Sequence, residues 1–135
     1  PILMSDKASA HSMPTQGPLR ISIVTAVYNR VDTLRDALSS VAAQSYDGVE
    51  HIIIDGGSRD GSLDLIRECA GEYAVIVSEP DEGIYDALNK GIGTATGDVI
   101  GLLHSDDVFA HSDVLSKVAA AFVDLDVMAA NGDLQ

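Results

Sequence analysis

The chain has 135 residues, 46% of them hydrophobic, and a mean hydropathy of +0.15, which suits one globular domain with a sizeable core. Its 21 Asp+Glu against 8 Lys+Arg give a formal charge of −13, a field that argues against nucleic acid as a partner and means that an anionic ligand needs a cation as escort. The single cysteine, Cys69, has no partner for an internal disulfide, so a reducing compartment, the cytoplasm, is expected, and no apolar run approaches the ~18 residues of a membrane helix.

Residues 1–18 mix Ser, Pro, His, Gln and Gly with little periodicity and lack both the basic region and the apolar core of a signal peptide, so they read as a disordered leader or a cloning remnant. Residues 19–27 alternate into an apolar run, with Ile21, Ile23, Val24 and Val27, and stop at Tyr28-Asn29, which makes a first strand. Val31, Leu34, Leu38 and Val41 then recur at helical spacing, and Asn29 suits the N-cap. Beyond Gly48 a second strand, residues 51–54, ends at Asp55-Gly56-Gly57-Ser58. Ser58 or Asp60 can cap the next helix, striped by Leu65, Ile66, Cys69 and Ala70. Residues 74–77 form a third strand, closed by Glu79-Pro80-Asp81-Glu82-Gly83, before a helix lined by Ile84, Ala87, Leu88 and Gly91. A buried strand at 99–103 follows, then a helix capped by Ser112 and carrying Val114, Leu115, Val118, Ala119 and Phe122, and a fifth strand begins at 127–130.

Strands alternating with helices of this length predict βαβ units, hence an α/β fold with a mostly parallel sheet and helices on both faces. The polar loops that follow the strands then share one edge: Tyr28-Asn29-Arg30, Asp55-Gly56-Gly57-Ser58, Pro80-Asp81-Glu82-Gly83 and Ser105-Asp106-Asp107. That edge is where open α/β sheets bind ligands. The organising stretch is the apolar strand at 99–103, which runs into the adjacent carboxylates Asp106 and Asp107. Two carboxylates held together repel, and a hard divalent cation, Mg²⁺ or Mn²⁺, is the natural partner that lets both stay ionised. The bland alternative is that the tripeptide merely opens a loop.

The turn after the first strand, Thr25-Ala26-Val27-Tyr28-Asn29-Arg30, contains no glycine, so it is not the G-x-G-x-x-G cradle of a dinucleotide site, although Asp55 sits where such a fold keeps its ribose-binding acid. No P-loop occurs, and the first strand holds no acid to act as a phosphatase nucleophile. What remains is a nucleotide held without a glycine cradle, its diphosphate neutralised through a metal on Asp106 and Asp107.

The run Ser78-Glu79-Pro80-Asp81-Glu82-Gly83-Ile84-Tyr85-Asp86-Ala87-Leu88-Asn89-Lys90-Gly91, followed by Ala95-Thr96-Gly97-Asp98 and Ser105-Asp106-Asp107, resembles family 2 glycosyltransferases, especially those that assemble bacterial extracellular polysaccharides. The stretch from Ile21 to Asn29 and the run Asp55-Gly56-Gly57-Ser58-Arg59-Asp60-Gly61-Ser62 are similar to that family's first two signatures, in order and at its spacing. The resemblance implies a Rossmann-like GT-A fold and an inverting transfer of a sugar from a nucleoside diphosphate donor to a saccharide or lipid-linked acceptor hydroxyl. It implies that Tyr28 and the backbone around Ala26 and Asn29 flank the base, that Asp55 accepts a hydrogen bond from the base's ring N–H, that Asp81 and Gly83 contact the donor, that Asp106 faces ribose and sugar, and that Asp107 holds the metal with Asp106 beside it. His104 stands where the family carries Asn and is left out of the metal set.

Residues 19–135 thus read as the nucleotide-sugar-binding part of a GT-A domain whose acceptor half, with the general base, lies outside the chain. The 135 residues are expected to be inactive alone, to self-associate through an uncovered apolar flank, and to belong to a full-length protein with room for peripheral membrane association. The alternative is a nucleotide-sugar-binding module without transfer of its own. Structural roles compete at each position: Asp55 as a turn cap, Tyr28 as core packing, Lys90 as no more than the partner of Asp86, and Gly83 as relief of crowding at a helix start.

Overall fold

A computed structural model of the chain describes residues 2–6, 19–71 and 74–130. Its elements run β1 (Ile2–Asp6), β2 (Ile21–Val27), α1 (Val31–Ala42), β3 (Val49–Asp55), α2 (Ser62–Cys69), β4 (Val75–Ser78), α3 (Ile84–Thr94), β5 (Val99–Leu103) and α4 (Val114–Ala130). The sheet has the order β1-β5-β2-β3-β4. Four strands, β5, β2, β3 and β4, are mutually parallel, as the alternation of strand and helix predicts.

The pleat decides which side chains meet which helix. On β2, Ile21, Ile23 and Val27 face one side, where Ile21 and Ile23 join Val41 of α1 and Leu115 of α4, and Val27 joins Leu34 and Leu38 of α1 and Ile66 of α2. Val24 faces the other side and packs with Ile52 and Ile54 of β3, Ile100 of β5 and Ala87 of α3. Helices therefore cover both faces, and β2 and β3 at the centre carry side chains with no exposure at all. That double burial is why these strands read as continuous apolar runs.

Two expectations are corrected. The first strand of the sheet is not residues 19–27 but Ile2–Asp6, inside the segment expected to be a disordered leader; it pairs antiparallel with β5, Ile2 opposite Leu103 and Asp6 opposite Val99. Ile2, Leu3 and Met4 are three apolar residues in succession, and pairing satisfies backbone groups that an open β5 edge would expose. Residues 7–18 lie outside the described residues. The second correction concerns 127–130, expected as a strand: α4 continues to Ala130, because no Gly or Pro interrupts the segment and its alanines favour helix.

Candidate functional site

Because β2 to β5 are parallel, Val27, Asp55, Ser78 and Leu103 end at one edge, and the four loops that leave them enclose a cleft of about 850 Å³. Ala26, Tyr28 and Arg30 line it from β2 and the loop after it; Gly56, Gly57 and Arg59 follow β3; Asp81 and Gly83 follow β4; His104, Asp106 and Asp107 follow β5. Ala26, Tyr28, Asp81, Gly83, Asp106 and Asp107, six sequence-predicted residues, are thereby brought together. Tyr28 is 60% exposed, so the core-packing alternative falls away and its ring stands open to the cleft.

Asp55 is fully buried and is not among the residues that line the cleft, although its neighbour Gly56 is. Its Oδ2 accepts from the backbone N–H groups of Gly57 and Ser58, each at 3.2 Å, and from the Ser78 hydroxyl at 2.8 Å. The turn-cap alternative thus describes half of this carboxylate. The other oxygen, Oδ1, has no hydrogen-bond partner among the described residues, and a buried acceptor left unmatched carries a cost unless a ligand donor satisfies it.

Asn29 is not the N-cap that the sequence suggested, and it is not among the residues that line the cleft. Arg30, not Asn29, is the N-cap of α1, and Asn29 sits at φ 50, with its Oδ1 accepting from the Arg59 N–H at 2.8 Å and its own N–H donating to Ser58 Oγ at 2.8 Å. The Arg30 N–H donates to Ser62 Oγ at 3.0 Å and the Val31 N–H to Asp60 Oδ2 at 3.1 Å. The open N–H groups at the start of α1 are therefore capped from the neighbouring loop, and Asp60 also accepts from the Ser62 N–H at 3.0 Å through Oδ1. Hydrogen bonds from Ser62, above all, hold the Asp60 carboxyl below the usual carboxylate range. Asn29 is a latch between two loops, while its neighbours Tyr28 and Arg30 line the cleft.

Across the cleft, Asp81 is held by two features of glycine. Gly83 caps α3 at φ 112, and its N–H donates to Asp81 Oδ1 at 3.0 Å. A Cβ on Gly56 would lie 2.6 Å from Asp81 Oδ2, so only glycine admits the carboxylate this close to the backbone after β3. Lys90 binds Glu79 at 3.1 Å and Asp86 at 3.5 Å; its hydrogen bond to Glu79 is the main reason its pKa is raised, and the ion-pair role expected for it holds with Glu79 added.

The carboxylate loop after β5 is pinned to α1. Thr33 Oγ1 donates to the Ser105 carbonyl at 3.1 Å, the Asp107 N–H closes a turn onto the His104 carbonyl at 3.0 Å, and the N–H of buried Phe109 donates to Ser40 Oγ at 3.1 Å. Asp106 is exposed and Asp107 half-buried. Among the described residues no three or more His, Cys, Asp or Glu side chains gather closely enough to form a metal cage. A pair of adjacent carboxylates without a cage fits a cation that keeps waters or takes phosphate oxygens for its remaining ligands, the habit of Mg²⁺ and, with softer geometry, Mn²⁺.

The model for glycosyl transferase family 2 matches residues 22–133, most of the chain and all four cleft loops. The chain belongs to that family. An uncharacterised glycosyltransferase of Mycobacterium tuberculosis is 43% identical over 102 residues, which cover 75% of this chain and 39% of that protein. A PGL/p-HBAD biosynthesis glycosyltransferase of Mycobacterium bovis is 37% identical over 102 residues, covering 73% of this chain and 40% of that one. This family 2 chain thus spans well under half the length of these curated relatives.

Its fold matches solved glycosyltransferases. The mannosyltransferase PcManGT of Pyrobaculum calidifontis, in complex with GDP-Man and Mn²⁺, superposes with a TM-score of 0.66 over 74% of this chain and 31% of its own, at 24% identity. TarS of S. aureus, residues 1–349 with UDP-GlcNAc, gives 0.68 over 78% of this chain and 31% of its own, also at 24% identity. At that identity the likeness carries the fold: the α/β sheet described above is Rossmann-like and of the GT-A kind. Sequence reasoning missed Arg30 and Arg59 on the cleft wall, although both stand inside the loop motifs it singled out.

Proposed function

We propose that this chain is the donor-binding half of an inverting glycosyltransferase, which holds a nucleoside diphosphate sugar in the cleft for transfer to a saccharide or lipid-linked hydroxyl in bacterial polysaccharide or glycolipid assembly. The observation that carries the reading is the convergence of Tyr28, Asp81, Asp106 and Asp107 on one cleft, with the buried, unmatched Oδ1 of Asp55 next in the chain to Gly56 of its lining. Tyr28 offers a face for a base to stack on, and Asp55 Oδ1 takes its ring N–H. Asp106 meets the ribose and sugar hydroxyls, and Asp106 with Asp107 holds Mg²⁺ or Mn²⁺. The cation, when bound, neutralises the charge that builds on the departing nucleoside diphosphate. A general base must take the acceptor proton, and we place it in the length of the relatives that this chain does not span, so the 135 residues bind the donor without turning it over.

Calorimetry with UDP, GDP and dTDP and their sugars, with Mn²⁺ or with EDTA, tests this. Binding should be strongest with the metal. Asp107→Asn should remove most of the affinity together with the metal requirement, because it deletes a ligand charge at almost constant volume. Asp55→Asn keeps one oxygen for the Gly57, Ser58 and Ser78 donors but turns an acceptor into a donor, so it should weaken binding and retain the metal dependence. Equal binding in EDTA, or an Asp107→Asn variant indistinguishable from the parent, would sink the metal-bridge mechanism.

A further inference from the structure

The cleft belongs to a chain of charge −13, and its wall carries Asp81, Asp106 and Asp107, so a diphosphate entering it should meet repulsion from all sides but the metal. Two cationic side chains in the lining depart from that picture. Arg30 and Arg59 both line the cleft, from different loops. The ion pairs among the described residues engage Arg35, Lys90 and Lys117 with Glu68, Glu79, Asp86 and Asp113, and neither Arg30 nor Arg59, both exposed, takes part in them.

Their juxtaposition is built rather than incidental. The backbone N–H groups of these arginines are two of the four that side chains lock across the loops, Arg30 on Ser62 Oγ and Arg59 on Asn29 Oδ1, beside Asn29 on Ser58 Oγ and Val31 on Asp60 Oδ2. The latch fixes the two loops against each other after β2 and β3, and both arginines line the one cleft that these loops border. Two like charges in one cleft repel, and an anion bound there relieves that repulsion. The guanidinium fork matches phosphate oxygens in geometry as well as in charge.

We propose that Arg30 and Arg59 form a second, metal-independent phosphate clamp, which grips the diphosphate of the donor from the side of the cleft opposite in charge to Asp106 and Asp107. This rests on the donor reading above and changes one of its expectations: removal of the cation weakens nucleoside diphosphate binding and leaves a residue of affinity that belongs to the arginines. That residue is electrostatic and exposed, so it falls as salt rises toward and beyond ~0.15 M.

The test uses the 135-residue chain, the nucleoside diphosphate among UDP, GDP and dTDP that binds it tightest, and the matching nucleoside, which has the base and ribose but no phosphate. At low salt, Arg30→Gln and Arg59→Gln should each weaken the diphosphate by about tenfold, the size of one lost charge-assisted contact, and leave the nucleoside within about twofold. Arg→Lys at either position keeps the charge without the fork and should recover part of the loss. In EDTA the parent should retain weak diphosphate binding and the double Gln variant should lose it. Unchanged diphosphate affinity in the double variant overturns the clamp and leaves the donor reading standing. Equal losses for nucleoside and diphosphate also overturn it, since the arginines would then serve the base or the loop fold. Failure of the parent to bind any of the three diphosphates with Mn²⁺ overturns the donor reading and the clamp with it. Both arginines are exposed, so matched unfolding midpoints establish that the variants are folded.

Discussion

His51 makes the stability of this chain depend on pH, and the size of the effect can be worked out from its surroundings. The ring lies on β3, 7% exposed, with Nε2 2.9 Å from Thr25 Oγ1 on β2, itself fully buried. Burial pushes its pKa from the ordinary 6.5 down to about 4, because the imidazolium would lose its hydration there and gain no carboxylate in return. In the unfolded chain the ring binds a proton as pH drops below 6.5, while in the folded chain it stays neutral until about 4. Over that interval the unfolded state holds more protons, so stability is complete above the unfolded pKa and is lost as pH falls towards the folded one. The linkage amounts to about 2 kcal/mol between about pH 7 and about pH 5, and about 3 kcal/mol by about pH 4. The 21 acidic residues also titrate on the way down, so the quantity to measure is the difference between the parent and His51→Gln, which cannot titrate and can still bond Thr25. Urea unfolding of both proteins across this range should show a gap that moves by about 2 to 3 kcal/mol in favour of the variant as pH falls. A gap independent of pH would mean that His51 is hydrated or paired in the folded chain, and the burial argument would fail.

Two further substitutions separate packing from backbone effects. A Cβ on Gly91 would overlap Val24 Cγ1 where α3 lies on β2, whereas one on Gly93 of the same helix would meet nothing. Gly91→Ala should therefore destabilise by about 1–3 kcal/mol despite the better helix former, while Gly93→Ala should stabilise by roughly 0.5–1 kcal/mol; denaturant midpoints that move the same way for both would refute the close packing. Asp55→Ala strips the acceptor from Gly57, Ser58 and Ser78 and should cost about 2–4 kcal/mol, in contrast to the milder Asp55→Asn; a thermal midpoint unchanged by Asp55→Ala would show that the turn does not depend on this carboxylate.

The parallel sheet was legible because β2, β3 and β5 are buried on both faces, which writes near-continuous apolar runs into the sequence, and because the intervening stripes repeat at helical spacing. The two misreadings have a common cause. Residues 1–18 were judged by their average, and an average hides Ile2-Leu3-Met4, a strand that exists because β5 offers it an edge rather than because of any pattern of its own. The four apolar residues at 127–130 are equally short, and a short apolar run does not reveal its period; the uninterrupted helix upstream decided it. Local patterns carry the elements that a domain buries twice, and partners decide the ones at its margins.

The site shows the same division between what a residue is and what it is placed beside. Asp106 and Asp107 were readable as a pair because adjacency in sequence guarantees adjacency in space, and the shared edge of the parallel strands then brings Asp81 and Tyr28 to them. Asn29, in contrast, suits an N-cap when its own loop is taken alone, whereas its side-chain oxygen accepts from Arg59, thirty residues further along. Asp60 likewise caps a helix in the preceding βα unit as well as binding Ser62 at the start of its own. Nothing in a linear motif says that the loops after β2 and β3 cap each other. Yet that reciprocal capping accounts for the polar residues of both motifs: Asn29, Ser58, Asp60 and Ser62 satisfy one another's loops, so the residues left facing the cleft are the ones not needed for the latch. Tyr28 and the arginine side chains are left over in this sense, which is the physical reason the proposed donor contacts draw on them while the polar residues of the latch hold the loops.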